Sequence, residues 1–183
     1  MQRTWNRSIL LTGALLVAAA SASAAGADPF RPGNGITQLD LLGDGTPSMM
    51  VVGKRENFNA HSFDVISLYI RVDHQLEIVP LFDAGKEQDQ LTSSGGADCL
   101  LHDFRFFRRK PHAPLELVVA ERDYGDSFVD VRPVTFRRYT LNRNGDSTPG
   151  APTWSFQLRA TRVSAKAYCD VGDAFKSEPG WHE

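Results

Sequence analysis

The sequence predicts a mainly β protein, an antiparallel meander forming a sandwich or barrel-like sheet, with one short C-terminal helix. Three observations carry this expectation. Apolar and polar residues alternate with a period of two, as in Asp64-Val65-Ile66-Ser67-Leu68-Tyr69-Ile70-Arg71-Val72, where Ile66, Leu68, Ile70 and Val72 share one face. Turn signals rich in Gly, Pro, Asn and Asp separate such runs. Only residues 170–178 carry helix punctuation, with Asp170 placed as N-cap and Pro179-Gly180 as the stop.

The elements follow in order. Residues 25–35 are rich in Gly, Pro, Asp and Asn and read as a flexible N-terminal segment, so a single β-rich domain is expected over residues 36–183. An Asp-Gly turn around Gly43-Asp44-Gly45 feeds a strand through Met49-Met50-Val51-Val52. The run 64–72 pairs as a hairpin with residues 76–82, in which Pro80 demands an edge or a strand end. Residues 88–97 are polar and glycine-rich and read as a connection, after which residues 99–107 resume strand character. Pro111 and Pro114 bracket a turn before residues 115–120. Residues 128–141 supply one long strand or two short ones broken at Pro133. Asn142-Arg143-Asn144-Gly145-Asp146 turns the chain into a return strand at residues 154–158.

The N-terminus reads as an export signal. Arg3 and Arg7 provide a positive start, residues 9–20 an apolar stretch too short for a bilayer, and Ala22-Ser23-Ala24 a small-residue cleavage site. Residues 1–24 are therefore expected to be a secretory signal peptide, and the mature chain to lie in the periplasm or to be secreted. What remains is roughly 160 residues, one ordinary domain. Losing Arg3 and Arg7 leaves 18 of 20 basic residues against 22 acidic ones, a net charge of about −4. That balance excludes a nucleic-acid footprint, and Arg105, Arg108, Arg109 and Lys110 read as a solvated strand end. No later run has the eighteen or so apolar residues of a membrane span. In an oxidising compartment the two cysteines, Cys99 and Cys169, are expected to form a disulfide, and neither has the Cys-x-x-Cys spacing of a redox-active thiol.

Catalytic motifs are incomplete. Ser-x-x-Lys, Gly-x-Ser-x-Gly and His-Glu-x-x-His do not occur, and His61, His74, His102, His112 and His182 are scattered. Tyr124-Gly125-Asp126-Ser127-Phe128 is similar to the Gly-Asp-Ser block of SGNH esterases, which makes Ser127 the one candidate nucleophile. No Asp stands three residues before His182 to complete the pair, and a serine without a base attacks poorly. The loop from Leu39 to Ser48 resembles the calcium loop of FG-GAP repeats. Asp40 and Asp44 stand at ligand positions, whereas Leu42 and Ser48 replace two oxygen donors, so calcium here is at best weak and an Asp-Gly turn is the simpler reading. No other cofactor is expected. His102 and Asp103 are strand neighbours on opposite faces and cannot act together. Asn57, Asn59 and His61, in the loop before the longest alternating strand, are the candidates for contact with a ligand or partner.

Several segments together resemble one family. Ile36-Thr37-Gln38-Leu39-Asp40 with Gly43-Asp44-Gly45, the run Val52-Gly53-Lys54-Arg55-Glu56-Asn57-Phe58-Asn59-Ala60-His61, Gly96-Ala97-Asp98-Cys99-Leu100-Leu101, Val118-Val119-Ala120-Glu121-Arg122, Pro133-Val134-Thr135-Phe136 and Tyr168-Cys169-Asp170-Val171 are similar to the CarG-like carbapenem intrinsic-resistance proteins. The resemblance implies a periplasmic protein, not a β-lactamase, that protects against a carbapenem by binding without hydrolysis. Its partner would be the β-lactam or an envelope protein. The other readings are a secreted hydrolase using Ser127 and a degenerate calcium-loop interaction module.

Overall fold

The structure, a computed structural model, describes residues 27–181. The expected signal peptide and His182 lie outside these residues. Twelve strands and one helix follow in chain order: β1 (Ala27–Phe30), β2 (Gly35–Leu39), β3 (Ser48–Arg55), β4 (Phe63–Val72), β5 (Gln75–Ile78), β6 (Leu81–Asp83), β7 (Lys86–Gln88), β8 (Leu91–Gly95), β9 (Leu100–Arg108), β10 (Glu116–Arg122), β11 (Arg132–Arg143), β12 (Trp154–Tyr168) and α1 (Val171–Ser177). They form one open sheet in the order β2-β3-β4-β8-β9-β10-β11-β12-β6-β7, with β1 beside β9 and β5 beside β4. The mainly β architecture and the single short C-terminal helix are as the sequence predicts. The order departs from a simple meander where β4 lies beside β8 and β1 beside β9, and among the described strands the exception to antiparallel pairing is β6, which runs parallel to β12 through Leu81↔Phe156 and Phe82↔Gln157.

Pro80 causes that exception. It ends the β4–β5 hairpin, and its carbonyl accepts from Phe156 N–H at 2.9 Å, handing the chain to the far side of the sheet. A second handover occurs in β8, where Leu91, Thr92 and Ser93 pair with β4 while Ser94 and Gly95 pair with β9. Gly95 is required there, since a Cβ would fall 2.7 Å from Leu100 Cα.

The sheet thus folds over a core lined by Met50, Val52, Ile66, Leu68 and Ile70 on one side and Phe104, Phe106, Leu117, Val119, Tyr139 and Phe156 on the other. The alternation in β4 and β10 positions these side chains inward. The outer face of β9–β11 carries a second core, in which α1 sets Val171, Ala174 and Phe175 with Trp181 against Phe107, Val118, Val134 and Phe136. A seven-residue helix has little stability of its own. Asp170 caps it by accepting from Gly172 N–H at 2.6 Å and ties it to β9 by accepting from Leu100 N–H at 2.9 Å. The Cys99–Cys169 disulfide fastens the same corner.

Three expectations need correction. Residues 27–30, read as part of a flexible segment, form β1 against β9, because Phe30 packs on Phe106 at 6.0 Å and Arg31 bridges Asp64 and Asp103, each at 2.7 Å. The connection at residues 88–97 contains the end of β7 and all of β8, whose polar composition reflects an exposed hairpin and a strand shared between two neighbours. The return strand extends to Tyr168, since residues 159–167 lie mostly exposed along β11 and show no apolar alternation. Pro133 sits inside an unbroken β11, accommodated by a register shift before Thr135.

Candidate functional site

The concave face of β10 and β11 is apolar at its centre and polar at one end. Leu117 opposite Tyr139 and Val119 opposite Arg137 mark the transition, and Glu121 opposite Thr135 completes it. The β6–β7 hairpin adds Asp83 and Gln88, and β8 and β9 add Thr92, Ser94 and His102. Together they enclose a cleft of about 560 Å³, within the range of small-molecule sites. A hollow of about 440 Å³ lined by Arg132, Pro133 and Thr135 continues it past Glu121, Asp123 and Arg137.

Arg137, Glu121 and Asp83 form the ion-paired group of the cleft. Arg137 donates to Glu121 at 2.5 Å and lies 3.9 Å from Asp83, and the bond to Glu121 raises its pKa above the ordinary value. Burial, reinforced by the neighbouring Asp83 carboxylate, pushes the Tyr139 phenol up as well. Arg122 is 4% exposed and gives its donors to three carbonyls, those of Cys169, Asp123 and Phe128. This buried guanidinium, its pKa lowered by desolvation, staples the disulfide corner to the loop that carries Tyr124 and Phe128. Tyr124 lines the cleft and meets Phe128 edge to face at 4.6 Å.

Ser94, His102 and Glu121 stand in register across β8, β9 and β10. Their order suggests a nucleophile, base and acid. Their hydrogen bonds point elsewhere: His102 Nδ1 meets the Thr92 carbonyl and Glu121 accepts from Arg137. Among the described residues no serine hydrogen-bonds a histidine. Sequence reasoning missed the cleft. The one signal was His102, set aside because Asp103 points the other way, where it holds Arg31 at 2.7 Å and Arg105 at 2.5 Å.

The residues singled out from sequence are scattered around this site. Asn57 and Asn59 brace their own loop, Asn57 donating to the His61 carbonyl and Asn59 accepting from His61 N–H, each at 2.9 Å. His61 reaches further, with its ring 4.5 Å from Phe128 and Nδ1 3.2 Å from the Gly95 carbonyl, so it backs the aromatic rim of the cleft. Ser127 lies in the turn after Gly125, its hydroxyl accepting from Val129 N–H at 3.5 Å. Asp40 accepts from Gly43 N–H at 2.7 Å and Asp44 from Thr46 N–H at 2.9 Å, both within the turn. Among the described residues no three His, Cys, Asp or Glu side chains gather as a metal site would require, and no helix is long and apolar enough to cross a membrane. Three of the four basic residues at 105–110 are engaged: Arg105 with Asp103, Arg108 with the Asp40 carbonyl and Arg109 with Glu116.

Comparison with known proteins adds a family. The model described as "Carbapenem resistance protein CarG-like" matches residues 33–177. A solved structure titled "Crystal structure of CarG" is similar over 82% of this chain and 95% of that one, at 26% identity and a TM-score of 0.71. No curated protein matches.

Proposed function

Because the chain belongs to the CarG-like family, we propose that it is an exported periplasmic protein that protects against a carbapenem by binding, without hydrolysing it. The observation that carries this reading is the cleft: it is large enough for a small ligand and densely polar, yet among the described residues no serine in it hydrogen-bonds a histidine. The bonded Cys99–Cys169 pair supports export, since such bonds persist in oxidising compartments.

The test joins survival to chemistry. Cells of a susceptible bacterium that export the protein are expected to survive a carbapenem whose lactam absorbance in the medium stays unchanged. Protection accompanied by turnover, and turnover abolished in His102→Ala, would overturn the reading in favour of a hydrolase built on the Ser94–His102–Glu121 row.

A further inference from the structure

We infer that the cleft between β6–β7 and β8–β11 binds a neutral, polyhydroxylated ligand, an oligosaccharide, in preference to the anionic antibiotic. The inference rests on the protective binding role proposed above and names what is bound: an envelope glycan, so that protection acts by shielding.

Charge decides first. Asp83, Glu121 and Asp123 line the cleft as carboxylates. Of the two cations, Arg122 has spent its donors on three backbone carbonyls, and Arg137 already serves Glu121 at 2.5 Å with Asp83 at 3.9 Å. A ligand carboxylate would meet three acidic side chains and one guanidinium, Arg137, already bonded to one of them. A cation would meet Arg137 between Glu121 and Asp83. A neutral hydroxylated ligand avoids both conflicts.

Hydrogen-bond chemistry decides next. Carboxylates only accept and guanidinium only donates, so the Asp83–Arg137–Glu121 group presents acceptor, donor and acceptor side by side. Neighbouring hydroxyls fit such a group, because each can donate to a carboxylate while accepting from Arg137. Gln88, Thr92, Ser94 and His102 extend the polar wall. Ser94, His102 and Glu121 recur at the inter-strand spacing of about 4.8 Å, the scale of one sugar ring.

Tyr124 supplies the remaining requirement, an aromatic surface for the C–H face of a pyranose. It is 47% exposed at the rim, yet it is braced edge to face on Phe128, which His61 backs in turn.

The experiment measures binding of the mature protein to tri-N-acetylchitotriose and to maltotriose by calorimetry, with a carbapenem in a parallel titration. Saturable binding of either glycan, weakened at least tenfold in Tyr124→Ala and in Glu121→Gln with the melting temperature unchanged, supports the inference. The two glycans separate an amino-sugar from a glucan source. No glycan binding at millimolar concentration, or carbapenem binding that Tyr124→Ala abolishes, overturns it. Glycan binding without cellular protection would sink the proposed function alone, and protection without glycan binding would sink this inference alone.

Discussion

Replacing both Cys99 and Cys169 with Ser tests whether the bridge acts on stability or on the cleft. The bonded residues are 70 apart in sequence, with Cα atoms at 5.6 Å. In the chain-entropy account, closing a loop of that size removes denatured-state freedom equivalent to about 4 kcal/mol. For a domain of this size the melting temperature should fall by roughly 8–16 °C. The native corner has other fastenings: Asp170 holds Leu100 and Gly172, Arg122 holds the Cys169 carbonyl, and α1 keeps Phe175 and Val171 buried. The cleft should therefore survive. Urea denaturation of the oxidised protein, the reduced protein and the double variant should give two matching low-stability curves with a larger m-value, since the unbridged chain unfolds further. Ligand binding below the transition should be unchanged. A loss under about 1 kcal/mol with an unaltered m-value would refute the entropic reasoning, and lost binding in a folded variant would show that the bridge shapes the site.

Other substitutions probe the remaining supports. Arg122→Met removes the shared donor of three backbone carbonyls and should cost about 1–3 kcal/mol by denaturation, with faster amide exchange at residues 123–131. Gly43→Ala forces a Cβ onto a backbone with φ +80° and within 2.5 Å of the Ala113 carbonyl oxygen, so a loss of at least about 2 kcal/mol is expected. The Glu178 carboxylate is held below its ordinary pKa, chiefly by the Ala165 N–H and also by Tyr168, Lys166 and Arg162. Its contribution is complete above the unfolded pKa and drains as pH falls through the folded one, so Glu178→Gln should flatten the acid limb of the stability profile. Glu56, pulled down to about 2 by the Ser62 hydroxyl, Lys54 and Phe58 N–H, should titrate visibly higher by NMR in Ser62→Ala.

Strands buried on one face were legible because their alternation survives in sequence. β4 has Ile66, Leu68 and Ile70 inward, and the helix announced itself through Asp170 and Pro179. β12 was half legible. Its first residues pack Phe156 into the core, whereas residues 159–163 are exposed and owe their strand conformation to pairing with β11 alone, which leaves no period to read. β1 and β8 were hidden for a related reason: each is held by a few specific contacts, Phe30 on Phe106 for one and the shared edges of β4 and β9 for the other.

The cleft was illegible on different grounds. Its members are drawn from β6, β7, β8, β9, β10 and β11, so no local spacing brings Asp83 near Arg137 or Ser94 near Glu121. A cleft assembled across strands needs only register, and register depends on Pro80 and Gly95, the residues that send the chain between the two parts of the sheet. His61 shows how far sequence can reach. It was singled out as a contact residue in its own loop, and its ring backs the Phe128–Tyr124 ledge, a placement that exists only because the sheet folds β8 and the β10–β11 loop onto the same end.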